Sequence, residues 1–443
     1  MKERPLLNPK ILLTGTNRWP IVSRLMVSFR RMGCSVAVLC PTLGRPARKT
    51  RSVGHIFHYS GLTPVDSLRA AIEAFGPDLI VPTCDRGVQH LHEFHALSQS
   101  EGSAGRKMVA LIERSLGSPH GFPIVTSRCE LLKIAQSEGI LVPTMSEIES
   151  DADLQLWIAK SAPPWVIKAD GTWGGKGVKI AKDAKEAMRF FLEFAQHDSL
   201  VELTTRLLLN RDRDWAFFDW KHSRRSVIAQ SMIDGRPANC AVVCWEGKML
   251  AGIAVEVIKA RGATGPATVV QIVPGSEMLA AAETLTRRLG ISGFIGLDFM
   301  IEKGTGAIYL IEMNPRCTPP CPLPLGNGRN LVAAISAQLS GRPLPSNHPA
   351  IEQSLVEYFP PFSESADGVY HANINGLAHL DSPEEALELP HDFRHPWSPR
   401  SVLGKVIDLV RRDQRQETAF TAFSTEDRQV LSGRALPQKS INA

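Results

Sequence analysis

Long hydrophobic runs are absent from the 443-residue sequence, which nowhere reaches the ~18 consecutive apolar residues of a transmembrane helix. The start, Met1 to Gly15, carries charge and a short apolar stretch but no small-residue cleavage site, so we expect no secretory signal. A strong charge of either sign is absent too, because 50 lysines and arginines oppose 45 aspartates and glutamates and leave a formal net charge of +5. These absences predict a cytoplasmic protein that binds neither membranes nor nucleic acid.

Cysteine motifs for metal binding are also missing. The eight cysteines are scattered through predicted strands and helices, as in proteins that keep reduced thiols. The pair Cys240 and Cys244 has the same spacing as the pair Cys317 and Cys321, but no CxxC motif or neighbouring histidine pair completes a zinc site. We therefore expect no structural zinc.

Two common phosphate-binding motifs do not fit the glycine-rich stretch "GTWGGKGV", Gly171–Val178. A P-loop needs a glycine at a fixed distance before its Gly-Lys pair, and Asp170 stands at that position before Gly175-Lys176. The dinucleotide fingerprint G-x-G-x-x-G starts at Gly175, but Ile180 stands where its third glycine belongs. The stretch is therefore not a strand-to-helix phosphate cradle.

The segments on both sides of this stretch predict strands instead. "WVIKA", Trp165–Ala169, is a short apolar run with β-branched residues, and "VKIA", Val178–Ala181, alternates apolar and polar residues. The glycines then form the turn of a β-hairpin, and such a turn could fold over a nucleotide.

The N-terminal part alternates strands and helices. Strands are predicted at Lys10–Gly15, Ser35–Cys40 and Asp78–Thr83, and a helix at Ile21–Met32 follows the first of them. This alternation predicts a parallel sheet with crossover helices. Because such sheets bind ligands at the carboxyl ends of their strands, residues 83–86 form a candidate binding loop.

The pattern changes after about residue 118. Strand-like runs between residues 226 and 258 are separated by Asp-Gly and Glu-Gly turns, which predicts an antiparallel meander. A predicted helix, Ser276–Leu289, then precedes a second hairpin, Gly296–Arg316. A chain of 443 residues is too long for one ordinary core, so we expect two or three domains.

The second hairpin carries a set of polar side chains. Glu312 and Asn314 are two positions apart on one predicted strand and share a face, and Asp298 on the other strand can join them across the turn. Two carboxylates and an amide oxygen are the hard ligands that Mg²⁺ prefers when it bridges nucleotide phosphates. Arg316 lies two residues after Asn314, so its side chain should face the same way. It can hold a phosphoryl group or a developing oxyanion.

Taken together, the two hairpins resemble the ATP-grasp superfamily, in particular the branch with carbamoyl-phosphate synthetase, biotin carboxylase and carboxylate–amine ligases. The resemblance covers about residues 10–340 and rests on "VIKADGTWGGKGV", "IAQSMIDG" and "GLDFM…LIEMNPR" in the family's order. It implies an α/β (α+β) fold: a Rossmann-like pre-ATP-grasp domain at 1–117, a two-lobed ATP-grasp domain at 118–342 with a lid subdomain at about 130–230, and a small accessory region at 343–443 whose tail is disordered.

The resemblance also implies roles for individual residues. ATP binding falls to Arg128, Lys168, Gly171, Gly174, Gly175, Gly177, Gln230 and Ile233. The Mg²⁺ ligands, which could also take Mn²⁺, are Asp298, Glu312 and Asn314. The catalytic groups that stabilise a phosphoryl or acyl-phosphate group are Arg316 and Arg261.

Several positions depart from the family's pattern. Arg128 replaces a usual lysine, Gln230 a frequent glutamate, and Pro237 a ribose-binding glutamate. The stretch "PRCTPPCPLPLGNG" after Asn314 lacks the Gln-Val-Glu-His run of the carboxylases, which disfavours bicarbonate activation. The chain has one ATP-grasp unit, whereas carbamoyl-phosphate synthetase has two.

The expected function is that of an ADP-forming ligase. It would activate a small-molecule carboxylate as an acyl phosphate and transfer the acyl group to an amine or similar nucleophile. Such an enzyme could act as a homo-oligomer. Two alternatives stay open: a bicarbonate-activating carboxylase or carbamoyl-phosphate synthetase-like enzyme, and a non-catalytic nucleotide-binding module. A NAD-dependent oxidoreductase is excluded because "KILLTG" is not followed by the glycine fingerprint.

Overall fold

The computed structural model of the chain describes residues 7–16, 21–41, 55–169, 177–195, 226–260, 265–326, 328–343, 355–358 and 377–379. All of them belong to one compact unit, Met1–His391, and the second unit, Asp392–Ala443, has no described residues. The tail that the sequence predicts to be disordered therefore lies outside the described residues.

A four-stranded parallel sheet forms the N-terminal part, as predicted, with the strand order β3-β2-β1-β4. Its strands are β1 (Lys10–Thr14), β2 (Ser35–Cys40), β3 (His55–His58) and β4 (Leu79–Pro82). The connecting helices are α1 (Ile21–Arg31), α2 (Pro64–Phe75), α3 (Asp85–Gln99) and α4 (Gly102–Leu116).

Both faces of this sheet are covered, which explains why its strands are almost continuously apolar. Along β1, Ile11 and Leu13 face the core that contains α1, whereas Leu12 faces the core built from α2, α3 and α4. Strands β1 and β4 are neighbours in the sheet although β2 and β3 lie between them in the chain. The order of the strands therefore reverses between β1 and β4. Ligands of such sheets bind at the carboxyl ends of the strands, at the point where the strand order reverses.

A second sheet of four antiparallel strands has the order β5-β8-β6-β7 and is called the small sheet below. Its strands are β5 (Met145–Ile148), β6 (Trp165–Ala169), β7 (Val178–Ala181) and β8 (Val227–Ser231). Before it lie two short helices, α5 (Phe122–Thr126) and α6 (Arg128–Ser137), and one face is covered by α7 (Asp151–Lys160) and α8 (Ala184–Ala195). The predicted hairpin Trp165–Ala169 and Val178–Ala181 is confirmed with the same ends.

The third sheet, called the large sheet, has seven strands in the order β13-β12-β9-β10-β11-β14-β15. They are β9 (Gly235–Trp245), β10 (Lys248–Ala260), β11 (Ala267–Val273), β12 (Gly293–Glu302), β13 (Ile308–Asn314), β14 (Leu355–Glu357) and β15 (Leu377–His379). Helix α9 (Ser276–Leu289) and α6 pack on one face, and α10 (Leu331–Ser340) packs on the other. The predicted helix Ser276–Leu289 is confirmed at both ends.

The predicted meander between residues 226 and 258 is wrong in one respect. The Glu246-Gly247 turn does join β9 to β10 as a hairpin, with both residues at positive φ. At Asp234-Gly235, however, the chain leaves the small sheet and enters the large one. Gly235 is needed there because a Cβ would lie 2.1 Å from the carbonyl oxygen of Ile301 on β12.

No helix in the described part of the chain combines the length and the hydrophobicity that a membrane crossing requires.

Candidate active site

The hairpin of β12 and β13 brings together the three predicted metal ligands. Asp298 stands directly opposite Glu312 in the antiparallel register, and Asn314 follows two positions later on the same face. The side-chain amide of Asn314 donates a hydrogen bond to Oδ2 of Asp298 at 3.0 Å. Two carboxylates and one amide carbonyl therefore converge at the open end of the hairpin, away from its turn.

Arg316 lies just beyond the end of β13 and closes one side of this group. Its Nη2 donates to Oδ1 of Asn314 at 2.9 Å, as the predicted shared face requires. Its Nε donates to Oδ2 of Asp85 at 2.9 Å. Asp85 is the first residue of α3 at the carboxyl end of β4, so the predicted binding loop 83–86 of the N-terminal sheet adjoins the acidic strand.

The sequence placed Asp85 only in the candidate binding loop 83–86 and did not predict its contact with Arg316. The signal for it was its position directly after a parallel strand, but sequence alone could not show that β13 ends beside that strand. A second contact joins the same two segments. The backbone N–H of Cys317, next to Arg316, donates to the carbonyl oxygen of Pro82 at the end of β4, at 3.2 Å.

Two further cations stand on the other side of the acidic group. Arg128, the first residue of α6, pairs through Nη2 with Oε1 of Glu312 at 2.9 Å. Nζ of Lys168, a buried residue of β6, lies 3.5 Å from the carbonyl oxygen of Ile311 on β13. The small sheet is thereby joined to the acidic strand of the large sheet, and both predicted phosphate-binding cations lie beside Glu312.

The two carboxyl groups titrate differently because of these neighbours. Burial alone would raise the pKa of Glu312, but Arg128 and Lys168 outweigh it and hold this pKa below its ordinary value. Burial and the charge of Glu312 raise the pKa of Asp298 to about 7, only partly offset by the hydrogen bond from Asn314. A divalent cation would remove this repulsion and allow both carboxylates to ionise fully.

The donor set fits a hard divalent cation such as Mg²⁺, which takes carboxylate, amide and water oxygens. In the described part of the chain, no group of three or more His, Cys, Asp or Glu side chains is placed to hold a metal ion. The candidate set therefore depends on the amide oxygen of Asn314 as its third ligand. Softer metals that select thiolate or imidazole are a poor match for these oxygens.

The other predicted nucleotide-binding residues that the structure describes lie in or next to the small sheet. Gln230 on β8 is 1% exposed, and its Nε2 has no hydrogen-bond partner among the described residues. Ile233 lies three positions later, in the link between β8 and β9. Gly177 closes the base of the glycine loop, because its carbonyl oxygen accepts from the N–H of Ala169 at 2.9 Å. Four other predicted site residues lie outside the described residues: Gly171, Gly174, Gly175 and Arg261.

Comparisons with known proteins agree with this architecture. Residues 205–320 match a family model described as the ATP-grasp domain. A search of curated protein sequences found no match.

Three solved structures illustrate the similarity of fold. The biotin carboxylase domain of 2-oxoglutarate carboxylase from Hydrogenobacter thermophilus, in complex with MgADP, ADP and bicarbonate, is 13% identical with a TM-score of 0.53, over 76% of this chain and 70% of that one. N5-carboxyaminoimidazole synthetase from Staphylococcus aureus, complexed with ADP, is 15% identical with a TM-score of 0.51, over 76% of this chain and 78% of that one. The L-amino acid ligase from Bacillus licheniformis is 16% identical with a TM-score of 0.51, over 75% of each chain. The chain therefore has the ATP-grasp fold, with a match to the ATP-grasp domain model over residues 205–320, and a Rossmann-like parallel sheet lies at its N-terminal end.

Proposed function

We propose that the protein is a Mg·ATP-dependent ligase that phosphorylates a carboxylate, releases ADP and passes the acyl group to an amine or similar nucleophile. The observation that carries this proposal is the arrangement at the end of the β12–β13 hairpin. There, Asp298, Glu312 and Asn314 form a set of hard oxygen ligands. Cations from three separate segments of the chain lie beside them, namely Arg128, Lys168 and Arg316.

The nucleotide would bind between the small sheet and β13. Lys168 and Arg128 already stand beside Glu312, where they can exchange that carboxylate for phosphate oxygens. The base would lie against Gln230 and Ile233. The loop with Gly171, Gly174, Gly175 and Gly177 would cover the phosphates and exclude water, which an acyl phosphate requires because it hydrolyses readily.

Asp298, Glu312 and Asn314 would hold Mg²⁺, or Mn²⁺ in its place. Such a cation supplies charge neutralisation between the nucleotide phosphates when it is bound. Oδ1 of Asn314 now accepts from Arg316, so this oxygen would exchange its arginine partner for the cation. Arg316 would keep its contact with Asp85 and direct its remaining N–H donors to the transferred phosphoryl group.

Little covalent chemistry would fall to the protein itself. Its charged side chains would position the two reactants and neutralise the charge that develops on the phosphoryl group. Arg261, just after β10, is proposed as a second stabilising cation. Transfer to an amine is favoured over bicarbonate activation because the segment after Asn314 lacks the Gln-Val-Glu-His run.

The test is ADP release by the purified protein with Mg·ATP and panels of carboxylates and amines. We expect ADP release that needs both a specific carboxylate and Mg²⁺, and calorimetry should show ATP binding that depends on Mg²⁺. ADP release driven by bicarbonate would replace the ligase with a carboxylating or carbamoylating enzyme. Nucleotide binding without turnover on any panel would favour a binding module, and absence of nucleotide binding would reject all three.

A further inference from the structure

Two buried cysteines follow the candidate catalytic residue Arg316 and contact each other. Cys317 is 1% exposed and Cys321 is 0% exposed. The thiol of Cys317 donates a hydrogen bond to the sulfur of Cys321. The proposed ligase chemistry uses neither thiol, although the pair begins at the residue next to Arg316.

A tight turn holds the sulfur of Cys321 in place. The backbone N–H of Cys321 donates to the carbonyl oxygen of Thr318 at 2.9 Å, and the N–H of Thr318 donates to Sγ of Cys321 at 3.2 Å. Pro319 and Pro320 restrict the backbone inside this turn. A disulfide would therefore shorten an existing contact between the two sulfur atoms to ~2.05 Å.

The two thiols differ in how readily they ionise. Burial alone would raise the pKa of Cys321, but the hydrogen bonds from Cys317 and Thr318 outweigh it, and this pKa lies below its ordinary value. The charge of Arg316 acts in the same direction. Burial and the hydrogen bond donated to Cys321 raise the pKa of Cys317. The pair thus combines a thiolate that can attack with a protonated thiol beside it, as reactive dithiols do.

A second pair of cysteines has the same spacing but not the same contact. Cys240 and Cys244 lie on the extended strand β9, where four residues separate their Cα atoms by about 13 Å. A disulfide needs Cα atoms within ~7 Å, so these two cannot be bridged. Burial raises the pKa of both thiols. They therefore serve as an internal control for the pair Cys317 and Cys321.

The backbone of Cys317 helps to fix Arg316. Its carbonyl oxygen accepts from Nη1 of Arg316 at 3.4 Å, and its N–H donates to the carbonyl oxygen of Pro82 at 3.2 Å. The next residue, Thr318, lies against β12, because a Cβ on Gly296 would be 2.4 Å from Cγ2 of Thr318. Any rotation of Cys317 that closes a disulfide would therefore act on Arg316, since Thr318 has no room to move toward β12.

We propose that Cys317 and Cys321 form a peroxide-sensitive disulfide that displaces Arg316 and thereby stops phosphoryl transfer. The Cys321 thiolate attacks one oxygen of hydrogen peroxide, and the O–O bond breaks to give a sulfenic acid and hydroxide. The thiol of Cys317 then attacks the sulfenic sulfur, the S–S bond forms, and the sulfenic hydroxyl leaves with the thiol proton as water. The proton that Cys321 had released converts the hydroxide to water, so two thiols and one peroxide give one disulfide and two water molecules. The effect on turnover rests on the proposed function, whereas disulfide formation does not.

Burial restricts the oxidant to a small molecule. Arg316 and Thr318, on both sides of Cys317, are half-buried, so the pair lies just beneath the surface. Hydrogen peroxide is close to water in size and can reach the sulfur through a small local opening of this segment.

The experiment treats the reduced protein with hydrogen peroxide, blocks the remaining thiols in denaturant and locates disulfides by mass spectrometry. Trypsin cleaves after Arg316 and after Arg329, so both cysteines of the pair lie in one peptide, 317–329. A disulfide appears there as the loss of two hydrogen atoms and of both blocking groups. We expect this peptide to oxidise before the peptide that holds Cys240 and Cys244, and dithiothreitol should reverse the change.

Variants assign the role of each sulfur. Cys317→Ser should stop at the sulfenic acid of Cys321, which dimedone traps, and Cys321→Ser should form neither sulfenic acid nor disulfide in this peptide. Cys240→Ser is the matched control and should form the disulfide like wild type.

Turnover reports the effect on Arg316. Oxidation of wild type should lower kcat for ADP release at least about tenfold, because a displaced positioning group slows the reaction steeply. Reduction should restore kcat. ATP affinity should change little, because Arg128 and Lys168 lie on the other side of the acidic group. Peroxide should leave kcat of Cys321→Ser unchanged.

A peptide 317–329 that stays reduced in peroxide overturns the inference, and so does oxidation of Cys240 or Cys244 at the same rate. A disulfide that leaves kcat unchanged, or an equal loss of kcat in Cys321→Ser, overturns the link to Arg316. If no carboxylate drives ADP release, the proposed function fails, and mass spectrometry still decides whether the disulfide forms.

Discussion

Asp85 and Arg316 are 231 positions apart in the sequence, yet Oδ2 of Asp85 accepts a hydrogen bond from Nε of Arg316 at 2.9 Å. The same guanidinium donates to Oδ1 of Asn314. If a cation takes the Asn314 oxygen, Asp85 is the side chain that still fixes the arginine. The N-terminal sheet would then contribute directly to the geometry of phosphoryl transfer.

Asp85→Asn should lower kcat about ten- to a hundredfold with the carboxylate found in the ADP-release screen, because Arg316 loses its charged partner. KM for ATP should change little, and the unfolding free energy should fall by less than about 1 kcal/mol, since the pair is partly exposed. Asp85→Glu should restore part of kcat. Asp66→Asn, which removes the same charge from the first turn of α2, is the control. An unchanged kcat in Asp85→Asn would show that the pair only joins the two sheets.

Arg316→Ala should sharply reduce the trapping of the acyl phosphate by hydroxylamine as a hydroxamate. Nucleotide affinity should stay within roughly tenfold, or about 1.4 kcal/mol, because Arg128 and Lys168 remain beside the phosphates. Trapping at the wild-type rate would remove Arg316 from the mechanism. Release of AMP and pyrophosphate by wild type would contradict acyl-phosphate formation itself.

Glu312→Ala and Asn314→Ala should each lower turnover at least about a hundredfold, because each removes an oxygen ligand of the cation. The Glu312 change should be the more severe, since it also leaves Arg128 and Lys168 without their shared carboxylate. Binding of Mn²⁺, followed by electron paramagnetic resonance, should weaken in both variants. Glu302→Ala, on the same hairpin near its turn, is the control, and wild-type Mn²⁺ affinity in Glu312→Ala would assign the cation to other residues.

A further prediction concerns acid stability. His92 on α3 stacks on Phe122 with ring centroids 4.1 Å apart, and burial together with the neighbouring His95 lowers its pKa to about 4. The unfolded chain therefore binds a proton at His92 between about pH 6.5 and pH 4 that the folded chain does not, so stability decreases as the pH falls through this window. The loss from this residue is at most about 3 kcal/mol.

Denaturant unfolding of His92→Phe across the same window checks this prediction. The variant should show a shallower decrease in stability than wild type, because the aromatic stack is kept and the titrating group is gone. His120→Phe, which replaces an exposed histidine, is the control. Equal slopes in wild type and His92→Phe would contradict the assignment.

Local signals in the sequence predicted much of the fold. The ends of strands β6 and β7 follow from the strand pattern of their residues, and the ends of helix α9 follow from the glycines that flank it. These signals lie within or next to each element. The pairing of Asp298 with Glu312 could also be predicted, because a hairpin fixes its own register.

Contacts between distant segments could not be predicted in this way. Asp234-Gly235 has the sequence of a tight turn, but only the position of β12 shows that the chain changes sheets there. The contacts of Arg316 with Asp85 and of Arg128 with Glu312 likewise depend on how separate elements pack. No local pattern carries that information.

The close approach of Gly235 to the Ile301 carbonyl fixes one end of the link between the small and large sheets. The carbonyl oxygen of Asp234 is held as well, because it accepts from the N–H of Lys303 at 2.8 Å. On the other side of the link, the N–H of Met232 donates to the carbonyl oxygen of Pro164 in the small sheet at 3.3 Å. Ile233 lies between these two anchored ends, so a base that lies against Ile233, as proposed, would contact the link that joins the two sheets.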